Sequence, residues 1–194
     1  MEIFTIGWMV IEAAIAIGAG IAARSVLLTA FGLDSAIELI SGAALLWRLS
    51  AEVRSADVGL VEVVERRATW VSAVLLLLLS LYVLTTSIAG LLTRLEPQDS
   101  WAGLGISVAA VLLMPLLAWQ KQRANDAIQS PALRADVAET LTCAYMAGTT
   151  LFGVALSTLM GWWWAQYVAA FALLFFIGWE SWEALEAARE AKRR

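Results

Sequence analysis

"TWVSAVLLLLLSLYVLTTSIAGLL", residues 69–92, holds no charged side chain. A helix needs about 20 predominantly apolar residues to cross the hydrocarbon of a bilayer, so this stretch reads as a membrane span. Toward the C-terminus, Trp101 to Trp119 is a second uncharged run, with Pro115 placed to kink it. Thr140 to Trp179 is again free of charge and too long for one ordinary span. The segment "MGWWWAQ", 160–166, divides it in two, with tryptophans where an interfacial aromatic belt lies. Toward the N-terminus stand two weaker spans, about 3–22 and 25–47, interrupted by Glu12, Asp34 and Glu38. The expected fold class is therefore all-α, a polytopic membrane protein of six transmembrane helices.

The composition agrees. Of 194 residues 61% are hydrophobic and 15% charged, against about 25% charge in a soluble domain, and the mean hydropathy is +0.76. The first apolar run lacks a basic leader and a small-residue cleavage motif, so it reads as a retained helix rather than a signal peptide. A single cysteine excludes an internal disulfide framework, and the absence of histidine removes the commonest transition-metal ligand. There is no phosphate-binding G-x-x-x-x-G-K-[ST] loop and no Ser/His/Asp set. The chain is thus not expected to be an enzyme or to hydrolyse ATP. Nucleic acid is not an expected partner either, because no basic patch is interleaved with aromatic residues.

The basic residues orient the chain. Arg48, Arg54, Arg66 and Arg67 fall between spans 2 and 3, and Lys121, Arg123 and Arg134 between spans 4 and 5. Arg189, Lys192, Arg193 and Arg194 close the chain. Of thirteen basic residues only Arg24 and Arg94 lie on the other side. By the positive-inside rule both termini are cytoplasmic and the location is the cytoplasmic membrane. After span 6, "ESWEALEAAREAKRR" reads as a short charged helix, acids first and bases last as the helix dipole prefers. The expected organisation is one six-helix domain over 1–182 and a charged cytoplasmic tail over 183–194.

Two carboxylates stand out against this background. In "FGLDSAIELISG", 31–42, Asp34 and Glu38 are four apart and share one face of a helix near the middle of span 2. An ionised carboxylate there costs about 2.5–3.5 kcal/mol on insertion scales, and two adjacent ones repel, so protons or a cation must compensate them. A second pair, Glu139 and Cys143 in "RADVAETLTCAYM", 134–146, opens span 5 with the same spacing. From Ala132 at the membrane edge, the helical rise carries Glu139 about 10 Å inward. Two helices bearing such pairs at similar depth can converge on one ion. Three oxygens and a sulfur suit a four-coordinate divalent transition metal. A lone buried Cys143 is equally compatible with a small core residue. Glu12 lies inside span 1 and reads either as lining an access path or as a helix-packing group. Asp136 reads as attracting ions at the inner mouth or as an acid favoured by the helix N-terminus.

"SVLLTAFGLDSAIE" followed by "SPALRADVAETLTC" resembles transmembrane helices 2 and 5 of the cation diffusion facilitator family. Those transporters carry a D-x-x-x-D pair on helix 2 and an H-x-x-x-D pair on helix 5, which form a tetrahedral site. The resemblance places Asp34 and Glu38 on the first pair and Glu139 and Cys143 on the second. The "LRAD" before helix 5 and the six-helix layout extend it over nearly the whole chain. It departs from the family in having Glu139 for His and Cys143 for Asp. Gln166 and Tyr167 stand where helix 6 often begins with Asp-Pro, and the family's cytoplasmic metal-binding domain has no counterpart.

The resemblance implies a secondary transporter that exports a divalent transition-metal cation, Zn2+ or Cd2+ first, in exchange for protons. An Fe2+ or Mn2+ carrier is the alternative, because three carboxylates favour harder ions. A non-transporting membrane metal sensor or partner subunit is a further one. The expected partners are the metal ion, protons, the lipid bilayer and a second copy, forming a homodimer through membrane helices. No cofactor is expected beyond the transported ion, Zn2+ before others. With no histidine, proton coupling falls to Glu139.

Overall fold

The computed structural model describes residues 2–53, 58–128 and 131–193. They form six helices: α1 (Glu2–Ala23), α2 (Val26–Val53), α3 (Val58–Thr93), α4 (Trp101–Ile128), α5 (Pro131–Met160) and α6 (Ala165–Arg193). No strand occurs among the described residues. The break inside "MGWWWAQ" falls where the aromatic cluster predicts it, with Gly161 at φ 70° just after α5. α4 stays helical through Pro115.

Several helices outrun the apolar spans. α3 has 36 residues, about 54 Å at 1.5 Å per residue, well beyond a hydrocarbon core of about 30 Å. Among the described residues, four helices carry a stretch long and apolar enough to cross a membrane: Phe4–Ala23, Trp70–Thr93, Trp101–Ala124 and Thr140–Met160. Together with the six-helix bundle they make this a multi-pass membrane protein. Among the described residues α2 and α6 show no such stretch, and both carry acids inside the bundle, as described below.

The connections at one end are tied together. α1 and α3 stop in the same way, with Arg24 (φ 53°) and Arg94 (φ 52°) in the left-handed region. The next amides, of Ser25 and Leu95, bond back to the carbonyls of Gly20 and Gly90 at 2.8 and 2.9 Å, satisfying carbonyls the helix leaves open. Ser25 and Ser100 then cap α2 and α4, each hydroxyl accepting from the amide three residues on, at 3.1 and 3.0 Å. The Gln98 amide donates to the Ala23 carbonyl at 2.7 Å. The Ser25 hydroxyl donates to Gln166 Oε1, and the Tyr167 hydroxyl to the Leu95 carbonyl at 2.6 Å. All three turns thus share one end of the bundle, and both termini lie at the other.

Laterally, α1 packs on α2, α4 on α5 and α3 on α6, while α2 also meets α3, α5 and α6. The α1–α2 crossing is close. A Cβ on Gly20 would lie 2.5 Å from the Thr29 amide nitrogen, and one on Gly32 2.7 Å from that of Ile17. Small residues let two backbones approach where helices in lipid associate by packing rather than by the hydrophobic effect. Leu27, Leu28, Phe31, Val83, Val154, Leu173 and Ile177 fill the interior, while Leu77, Leu78, Leu81, Leu112, Phe152 and Phe175 face outward. An apolar exterior is what hydrocarbon requires.

Candidate metal centre

Asp34 and Glu38 lie one turn apart on the central helix α2, 1% and 6% exposed. Cys143 of α5 meets them. Its Sγ is 2.7 Å from Glu38 Oε1 and 2.8 Å from Oε2, so the thiol sits astride one carboxylate. α2 and α5 therefore meet here through Glu38 and Cys143.

Glu180 of α6 completes the group, and the sequence reading missed it. One carboxylate oxygen each from Asp34, Glu38 and Glu180 lie within 4.8 Å of one another. "ESWEALEAAREAKRR" reads as a charged helix after span 6, and α6 runs through it without a break to Arg193, with Glu180 half-buried. The available signal was periodic. Leu173, Ile177 and Ser181 mark the inward face of α6, and Glu180 adjoins it one turn past Ile177. Ser181 holds that rotation, donating to the Ile177 carbonyl at 2.7 Å and lying 3.4 Å from the Ser80 hydroxyl of α3.

The other expected residues fall out differently. Glu139 and Asp136 belong to α5, but their side chains lie outside the described residues. Glu12 is 1% exposed and does not face an open path. Its Oε1 accepts from the Ser35 hydroxyl at 2.9 Å, and its Oε2 accepts from Trp8 Nε1. It thereby ties α1 to α2 one residue from Asp34. Ser35 also caps the Phe31 carbonyl at 3.1 Å. Lys121, which the charge pattern assigned to a connection, lies inside α4 and is 1% exposed. The reason is helix length, because α4 runs past the apolar span to Ile128.

Three carboxylates thus meet in an apolar bundle, and a thiol contacts one of them. In a medium of low dielectric they cannot all be anionic without a compensating cation, so the cluster can hold protons or a metal ion and exchange one for the other. Oxygen and sulfur donors together accept a divalent transition metal, the thiolate favouring softer ions.

Compared with known proteins, residues 3–190 match the family model of the cation efflux transmembrane domain. No curated protein matches the chain.

Proposed function

This chain belongs to the cation efflux family of metal cation transporters, and we propose that it exports a divalent transition metal, Zn2+ or Cd2+ first, by proton antiport. The observation that carries the reading is the meeting of Cys143 with Glu38 at 2.7 Å beside Asp34 and Glu180. Asp34, Glu38 and Cys143 are the ligands in this reading, with Glu139 joining from α5 and Glu180 from α6. The basic residues put the termini in the cytoplasm, so the ion enters from the end opposite the three tied turns. The turn end is closed by the Ser25–Gln166 and Tyr167–Leu95 bonds, and export requires that end to open. A second copy pairs through membrane helices, with the outward leucines of α3 as its surface.

Proteoliposomes test the reading. Purified protein is expected to take up Zn2+ or Cd2+ faster under an imposed pH gradient than without one. Asp34→Ala and Glu38→Ala are each expected to lower uptake at least about a hundredfold while the protein stays folded and inserted. Wild-type rates in either variant remove that residue from the site.

With no histidine in the chain, the exchanged proton must sit on carboxylates, and Glu139 is placed on α5 to carry it. Metal binding then releases protons and weakens as pH falls, because protons and the ion compete for the same oxygens. Glu139→Gln is expected to retain some binding but lose pH-driven export. Binding without proton release between about pH 6 and 8 leaves a uniporter or a non-transporting sensor as the better account. The three carboxylates favour Fe2+ or Mn2+ as a second reading, and competition among the four ions decides between them.

A further inference from the structure

Among the described basic residues, Lys121 is buried while Arg24, Arg94 and Arg123 are exposed. It belongs to an inward stripe on α4 with Ala110, Met114, Leu117 and Ala118. Met114 and Leu117 join Met9 of α1 and Cys143 of α5 in one apolar layer. Lys121 stands one turn beyond Leu117, toward the terminal end. Its Nζ donates to the Thr140 hydroxyl at 3.1 Å, and Thr140 precedes Cys143 by one turn on α5. The ammonium therefore lies about 5 Å along the helix axis from the level of the thiol that contacts Glu38.

A lysine this near a helix end ordinarily reaches outward to water. Arg123, two residues on, does so and lies over the Trp119 ring at 4.2 Å. Lys121 instead turns into the bundle. An ammonium held one helical turn from the residue that contacts Glu38 repels a divalent ion at the carboxylates, even with an effective dielectric of about 20. A transport site must also let go of its ion, and a cage of anionic ligands with nothing to oppose it holds a divalent cation too long.

We propose that Lys121 sets the affinity of the transport site, its ammonium weakening the hold on a divalent cation so that the ion can be released. The inference rests on the transport reading above. It makes Lys121 a positioning charge rather than a ligand, and it predicts a gain where a structural defect produces a loss.

The test is titration of purified protein with Zn2+ and with Cd2+, paired with uptake kinetics in proteoliposomes. Lys121→Met, of similar length and uncharged, is expected to bind at least about tenfold more tightly while maximal transport falls and apparent KM drops. Lys121→Gln provides a second neutral, polar variant should the methionine protein fail to fold. Lys121→Arg, which keeps the charge, is expected to restore binding to within about threefold of wild type. Neutral variants that bind no tighter than wild type overturn the role of Lys121 alone. Wild-type protein that binds neither ion overturns the transport reading, and this inference with it.

Discussion

The Cys143 sulfur lies between the two oxygens of Glu38 at 2.7 and 2.8 Å and is the soft donor of the proposed site. Its replacement is expected to change which ion suits the site more than whether an ion binds. Cys143→Asp is expected to keep transport but to lower the Cd2+ to Mn2+ rate ratio by about tenfold, since a carboxylate favours harder ions. Competition uptake measures this, and an unchanged ratio counts against ligation by sulfur. Glu12 illustrates the opposite outcome for an acid in the same bundle. With Ser35 and Trp8 both donating to it, it joins α1 to α2 through fixed partners.

At the scale of the element, α2 decides the site because it touches α1, α3, α5 and α6. Its depth and rotation depend on the close crossing with α1 at Gly20 and Gly32. Gly20→Ala sets a methyl group 2.5 Å from the Thr29 amide nitrogen, which is backbone and cannot swing aside. The expected cost is about 1–3 kcal/mol of stability, read as a lower melting temperature in detergent. The shift of α2 is also expected to reduce metal affinity, although Gly20 lies far along α1 from the acids. A melting temperature equal to wild type would show that the two helices can separate there without penalty.

For the whole molecule, the acids join two groups of helices. α3 and α6 pack as a pair beside α1, α2, α4 and α5, and Glu180 of that pair reaches Asp34 and Glu38 of α2. An ion bound there bridges the pair to the rest, so occupancy and the arrangement of the bundle are linked. Saturating Zn2+ is therefore expected to stabilise the folded protein, by about 2.7 kcal/mol at a hundred times Kd. Thermal melts with and without metal measure the effect. The stabilisation is expected to shrink in Glu38→Gln and in Glu180→Gln. If the Glu180→Gln protein gains as much from metal as wild type does, the ion does not bridge the pair to the rest.

What the sequence by itself determined is local. Runs of uncharged residues dictated helices, the tryptophan cluster at 160–166 dictated the break between α5 and α6, and i, i+4 spacing put Asp34 with Glu38 on one face. These follow from helical rise and period, which depend on neighbours along the chain. Tertiary structure alone decided which way the charged residues near the helix ends point. Glu180 and Lys121 both lie in charged stretches just past the uncharged runs, and both turn inward. A charged side chain at the edge of an apolar span has apolar neighbours on one side only, Leu173 and Ile177 before Glu180 and Met114 and Leu117 before Lys121, so its face is only half marked. Its direction is set by how far the helix continues and by what packs against it, Ser80 and Ser181 for α6 and Thr140 for Lys121.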